Sequence, residues 1–235
     1  MRHKLLASVL FLSLAAAWAP SSYAQLVVST VAGGGSDRMP ATQAMLEASN
    51  YLARDSSGNL YIADGLQHKV FKIDPLGRLT HIAGTGCTWG ITSGLCPAGD
   101  GGPALSANFS GPRGLALDST GGLLILDNNP TRIARIDLAT GIISSTSGSA
   151  LDINLGDPRF MTMGRDGKLV VSGWSPSRVF RLDLPLGHVS IVAGTNTDGF
   201  DGDGKLATTS ALNFPVGVAE DPAGNLYMAD SQNHR

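Results

Sequence analysis

One short pattern occurs four times along this chain, and a repeat of that kind restricts the fold more than any single residue does. The copies are Asn59-Leu60-Tyr61-Ile62-Ala63-Asp64, Gly122-Leu123-Leu124-Ile125-Leu126-Asp127, Lys168-Leu169-Val170-Val171-Ser172-Gly173 and Asn225-Leu226-Tyr227-Met228-Ala229-Asp230, each introduced by a glycine at 58, 121, 167 or 224. After the first three copies comes a second run, basic-apolar-x-basic-apolar-Asp: Lys69 to Asp74, Arg132 to Asp137 and Arg178 to Asp183. A third run, Leu79 to Gly84, Ile143 to Gly148 and Val189 to Gly194, follows a turn containing Gly77, Gly141 or Gly187. Gly and Pro at such places supply the backbone angles that tight turns demand.

One more apolar segment precedes each first run, at Tyr51-Leu52-Ala53, Gly114 to Leu117, Phe160 to Met163 and Gly217-Val218-Ala219. Each unit is therefore four short strands, a to d, joined by turns. None of the runs has the 3.6-residue period of an α-solenoid. A four-stranded antiparallel meander repeated around an axis is a β-propeller, and the expected fold class is all-β with such blades. From the start of strand a to the glycine after strand d, the unit spans 35, 36 and 36 positions (49–84, 112–148, 158–194), whereas the connections that follow span 28, 10 and 21. A fixed unit with all its length variation in one connection suits stacked blades with loops on one face.

The chain ends predict two further features. Arg2-His3-Lys4, an apolar run from Leu5 to Ala19 and small residues before a cut between Ala24 and Gln25 describe a secretory signal over 1–24, which implies a secreted, periplasmic or cell-surface protein. No later segment approaches the roughly 20 apolar residues of a membrane helix. Val28 to Gly33 matches strand d without strands a to c before it, so 26–33 is expected to close the ring as the outer strand of the last blade. The fourth unit, 215–235, stops where strand c should begin, which reads as a C-terminally truncated propeller of about three and a half blades within 25–235.

With these residues in view, the strings DSSGNLYIADGLQHKVFKID and DPAGNLYMADSQNHR resemble NHL repeats, whose signature falls at Asn233-His234 with Arg235 in third place. The resemblance implies an exported bacterial-type propeller, commonly six-bladed when complete, of a kind used as binding scaffold, extracellular sensor module or lyase. The second and third units depart from it, with Pro130-Thr131-Arg132 and Pro176-Ser177-Arg178 in place of Gln67-His68-Lys69.

Candidate binding residues cluster at the b–c turns: Asp64, His68, Lys69, Asn128, Arg132, Arg178, Asp230, His234 and Arg235, with the aromatic Trp174 and, in the longest connection, Trp89. Recurrence favours a structural job for most of them, because a catalytic group should occur once in surroundings of its own. Cys87 and Cys96, close in sequence in an exported chain, are expected to form a local disulfide. Asp198, Asp201 and Asp203 imitate a calcium loop but lack its ligand spacing and closing Glu, so calcium is disfavoured and no other metal or cofactor is implied. With 17 basic against 19 acidic residues and only 15% charged, the chain offers no basic face for nucleic acid.

Three functions compete on these grounds. The leading one is a non-catalytic scaffold that holds a protein or small ligand on the face shared by the d–a connections (85–111 and 195–214) and the b–c turns. The others are a propeller lyase or lactonase, and a sensor module of a larger protein. The inner strands, mostly Leu, Ala, Met, Gly and Val, count against an enzyme.

Overall fold

A computed structural model describes residues 40–44, 46–87, 99–128, 131–145, 155, 157–183 and 188–235. The expected signal segment 1–24 with its cut at Ala24 and Gln25, strand 26–33, Trp89 and Cys96 lie outside the described residues. Cys87 is disulfide-bonded. Among the described residues no helix is long and apolar enough to cross a membrane.

The fold is all-β, built from four-stranded antiparallel sheets in simple meander order. Blade 1 comprises β1 (Ser49–Arg54), β2 (Leu60–Asp64), β3 (Lys69–Ile73) and β4 (Leu79–Ala83). Blade 2 comprises β5 (Pro112–Leu117), β6 (Gly122–Asn128), β7 (Thr131–Asp137) and β8 (Ile143–Ser145). Blade 3 comprises β9 (Pro158–Met163), β10 (Leu169–Gly173), β11 (Arg178–Leu182) and β12 (Val189–Ala193). A pair, β13 (Pro215–Glu220) and β14 (Leu226–Asp230), follows. The first strands β1, β5, β9 and β13 contact one another in that order and form the inner wall.

The composition of the strands follows from stacking both faces of each sheet. Successive strand side chains point to opposite faces. In β6, Leu123 and Ile125 pack with blade 1 residues Tyr61, Ala63 and Val70, while Leu124 and Leu126 pack with blade 3 residues Met161, Leu169 and Val171. A strand covered on both sides has no use for polar alternation, which is why β6 reads as an unbroken apolar run. Each fully buried aliphatic side chain contributes roughly 1.5–3 kcal/mol to this stack.

A fifth component of the repeat is absent from the sequence reading. A 3-10 turn begins at Ala41, at Ala104 and at Ala207, in each case eight residues before the blade's first strand at Ser49, Pro112 or Pro215. The turn at Ala104 wedges between blades 1 and 2: its carbonyl accepts from the Gly84 N–H at the end of β4, and its N–H donates to the Gly141 carbonyl in the c–d turn of blade 2. Ala41 donates to Gly77 in the c–d turn of blade 1 in the same way. Ala104, Ala107 and Phe109 are buried in the interface between blades 1 and 2. The connection expected to be contact surface over 85–111 is therefore, in its second half, an interblade wedge that runs to the c–d side.

Candidate functional site

The b–c ends carry two kinds of arrangement. The first is a latch, repeated in three blades. The carboxylate of Asp64 accepts backbone N–H bonds from Glu47, Ala48, Leu66 and Gln67; Asp127 accepts from Ser110 and Asn128; Asp230 accepts from Asn213. All three carboxylates are buried. Each one ties the b–c turn to the chain entering its own blade, which leaves few open acceptor positions for a ligand.

The basic candidates extend this latch. Arg132 contacts Asp127 at 3.4 Å, donates to the Asn108 carbonyl at 2.5 Å and reaches Asp100 at 3.8 Å. Arg235 contacts Asp230 at 3.3 Å and Asp203 at 2.8 Å, with Phe200 beneath its guanidinium at 3.9 Å. Asp100 and Asp203 each stand four residues before the alanine of a wedge, so two blades use the same Arg–Asp contact to hold the connection. Asp203 of the calcium-like loop is thus paired with Arg235, and Asp201 with Lys205 at 3.0 Å and the Ala211 N–H. The Asp198 backbone bridges to Leu212. Among the described residues no three His, Cys, Asp or Glu groups are placed to hold a metal ion.

His68 and His234 occupy equivalent turn positions, four residues after Asp64 and Asp230, and both have left-handed backbone, φ 54 and 55. Histidine is among the few non-glycine residues enriched there, so its recurrence has a backbone cause. Gly84 packs against that turn, where a Cβ would run into the His68 carbonyl. Lys69 and Arg178 open the third strands of their blades, and Asn128 closes β6 opposite Thr131. These residues lie in separate turns around the ring and do not converge on one site.

Trp174 belongs to the second arrangement, a cleft of about 470 Å³ lined by Tyr51, Arg113, Arg159, Phe160, Trp174, Val216 and Gly217. Arg113 and Arg159 are the second residues of inner strands β5 and β9, immediately after Pro112 and Pro158. Pro112 pairs with Asp127 and Pro158 with Gly173, which puts both arginines at the b–c end of the inner wall. Asp157 accepts from Arg113 Nη1 at 3.0 Å and also from Arg159 Nη2. The Arg159 guanidinium stacks on Trp174 at 3.6 Å, a cation–π contact, and Trp174 meets Phe214 edge-on at 5.0 Å. Tyr51 and Phe160, both in the lining, touch each other with ring centroids 5.5 Å apart. Burial raises the Tyr51 phenol above its ordinary value despite Arg113 and Arg159 nearby.

Sequence reasoning reached Trp174 but missed Tyr51, Arg113, Asp157 and Arg159. The available signal was the Pro-Arg pair opening two inner strands, at Pro112-Arg113 and Pro158-Arg159. The inner wall is consequently not only apolar: its b–c end carries two guanidiniums.

Comparison with known proteins agrees with this fold. No family model matches the chain. Among solved structures it is similar to an auxiliary nutrient binding protein from Bacteroides ovatus (TM-score 0.56, 13% identity, 79% of this chain and 43% of that one). It is also similar to a gluconolactonase from Xanthomonas campestris (TM-score 0.50, 15% identity, 78% of this chain and 54% of that one). An 87-residue stretch is 35% identical to the protein SUPPRESSOR OF QUENCHING 1, chloroplastic, of Arabidopsis thaliana, covering 37% of this chain and 7% of that protein. The chain spans about half the length of these two solved structures. The class defined by the sheets and these likenesses is the β-propeller.

Proposed function

We propose that the chain is part of an exported propeller of the NHL-repeat type that serves as a binding scaffold for a small ligand or a protein, not as a catalyst. The observation that carries this reading is the cleft at the b–c end of the inner wall, where two arginines and several aromatic rings converge from different blades. Polar groups that converge with aromatic rings in a concave surface are a usual form of ligand site. The Bacteroides ovatus neighbour, a nutrient binding protein, agrees with a binding role for this architecture. Export rests on the leader over 1–24 and is tested by sequencing the mature N-terminus, expected at Gln25.

A lactonase or lyase is the second reading, favoured by the gluconolactonase neighbour. One experiment separates the two. The mature protein is purified from the exported fraction, screened by thermal shift against a panel of small nutrients, and assayed in parallel for lactone hydrolysis. A raised melting temperature without turnover supports the scaffold, and saturable turnover replaces it with the enzyme.

A further inference from the structure

We propose that the cleft between β1, β5, β9 and β13 is a carboxylate-binding site: Arg113 and Arg159 receive the carboxylate of a small organic anion, and Trp174, Tyr51 and Phe160 flank its flat apolar body. This deepens the scaffold reading and rests on it.

The charge count selects the ligand's charge. Two guanidiniums share one internal carboxylate, Asp157, whose side chain is 34% exposed. The group therefore carries one net positive charge on a concave surface, which a monoanion neutralises. A dianion such as phosphate leaves a negative charge facing Asp157, and a neutral ligand leaves the guanidiniums uncompensated.

The donor inventory selects the chemistry. Each guanidinium presents five N–H donors in a planar fork that matches a carboxylate. Asp157 uses only Arg113 Nη1 and Arg159 Nη2. Arg159 Nε and Trp174 Nε1 are buried, and neither has an acceptor among the described residues. Buried donors left unpaired cost free energy, on the order of 1–3 kcal/mol each. Both of these atoms are closed to solvent, so a ligand carboxylate meets instead the remaining N–H groups of the two guanidiniums, whose side chains are 25% and 20% exposed.

The rings select the body. Trp174 is held from below by Arg159 and at its edge by Phe214, so its position is fixed before any ligand arrives. Tyr51 and Phe160, in contact with each other, line the same cleft. The opening of about 470 Å³ falls within the usual range of small-molecule sites, roughly 300–1,000 Å³.

The test titrates the mature protein with benzoate, formate, benzamide and inorganic phosphate by calorimetry. Benzoate is expected to bind saturably at one site, more tightly than formate, with benzamide and phosphate at least tenfold weaker. Arg159→Gln and Arg113→Gln should each weaken benzoate tenfold or more. Asp157→Asn should strengthen it several-fold, because it removes the competing carboxylate; a purely structural role for Asp157 gives no such gain. Benzamide binding as tightly as benzoate on the unmodified protein overturns the proposal without need of any variant. So does an absence of saturable binding by either carboxylate, or benzoate affinity that Arg159→Gln leaves unchanged. Nutrients that shift the melting temperature equally in the unmodified protein and in Arg159→Gln would leave the scaffold standing while this assignment fell.

Discussion

Blades 2 and 3 have the same strand order and nearly the same length, yet they secure their turns differently. Blade 2 places a carboxylate at both ends of its second strand. Asp118 holds the a–b turn through Arg135 at 2.7 Å and the N–H groups of Thr120 and Gly122, and Asp127 holds the b–c turn. Blade 3 has glycine at both equivalent places, Gly164 and Gly173. Its a–b turn is held by Asp166 and by Glu220 of β13, which clasp Arg181 at 2.6 and 2.8 Å. At its b–c turn the Asp157 carbonyl accepts the Trp174 N–H, and Ser177 Oγ accepts the Phe214 N–H from the next connection. The same mechanical job is thus moved onto neighbouring segments, and the space beside Gly173 is filled by the Leu155 carbonyl. A repeat that departs from its own rule at one blade is where a functional or strained site is to be expected.

The comparison breaks most visibly at Asp127. Asp127→Ala leaves Arg132 and the Ser110 N–H without their buried partner and should destabilise by about 3–5 kcal/mol, read from urea unfolding. At the blade 3 counterpart, Gly173→Ala puts a Cβ 2.6 Å from the Leu155 carbonyl. Overpacking of that kind costs about 1–3 kcal/mol, and the same measurement checks it. A change at Gly173 that left stability untouched would remove the steric reason for the missing carboxylate.

Acid separates the two ends of blade 2. Burial alone would raise the Asp118 carboxyl, but Arg135, the Gly122 N–H and Thr120 together lower it from 3.8 to about 2. Its contribution is therefore fully present above the unfolded value and is lost as pH falls through about 2, a loss on the order of 1–2 kcal/mol. Asp127 runs the other way. Burial outweighs its hydrogen bonds and raises its folded value, so its contribution is present below the unfolded value and lost as pH rises through the raised one. Unfolding of the unmodified protein and of Asp118→Asn between pH 5 and pH 2 should show a flatter acid limb in the variant.

The smallest expected effect is at the blade 3 clasp. Glu220→Gln keeps an oxygen beside Arg181, which also retains Asp166, and should cost about 1 kcal/mol, the net scale of one hydrogen bond. A larger loss, again from urea unfolding, would mean that blade 3 depends on its neighbour more than blade 2 does.

The strands were legible because each carries its own local signal: an apolar run, a turn glycine and a closing Asp at constant spacing. The wedges were not, since three residues of 3-10 turn have no period and Ala41, Ala104 and Ala207 are conspicuous only once their burial or backbone pairing is known. The cleft was least legible. Tyr51, Arg113 and Arg159 sit in three different blades, and nothing near Arg159 in sequence announces that Arg113, 46 positions earlier, will share its carboxylate. Trp174 was noticed because it departs from the small or polar residue its turn should carry, a local signal that the arginines lacked.

The wedge at Ala104 also imposes an order in time. Its carbonyl is met by Gly84, already made, but its N–H waits for Gly141, which emerges only after most of the following blade. A chain leaving a ribosome at roughly 5–20 residues per second therefore holds blade 1 with one side open for some seconds. In that interval the apolar surfaces of Tyr61, Ala63 and Val70 await Leu123 and Ile125. Chaperone contact, and the risk of pairing with the wrong chain, belong to this pause at the joint between blades 1 and 2.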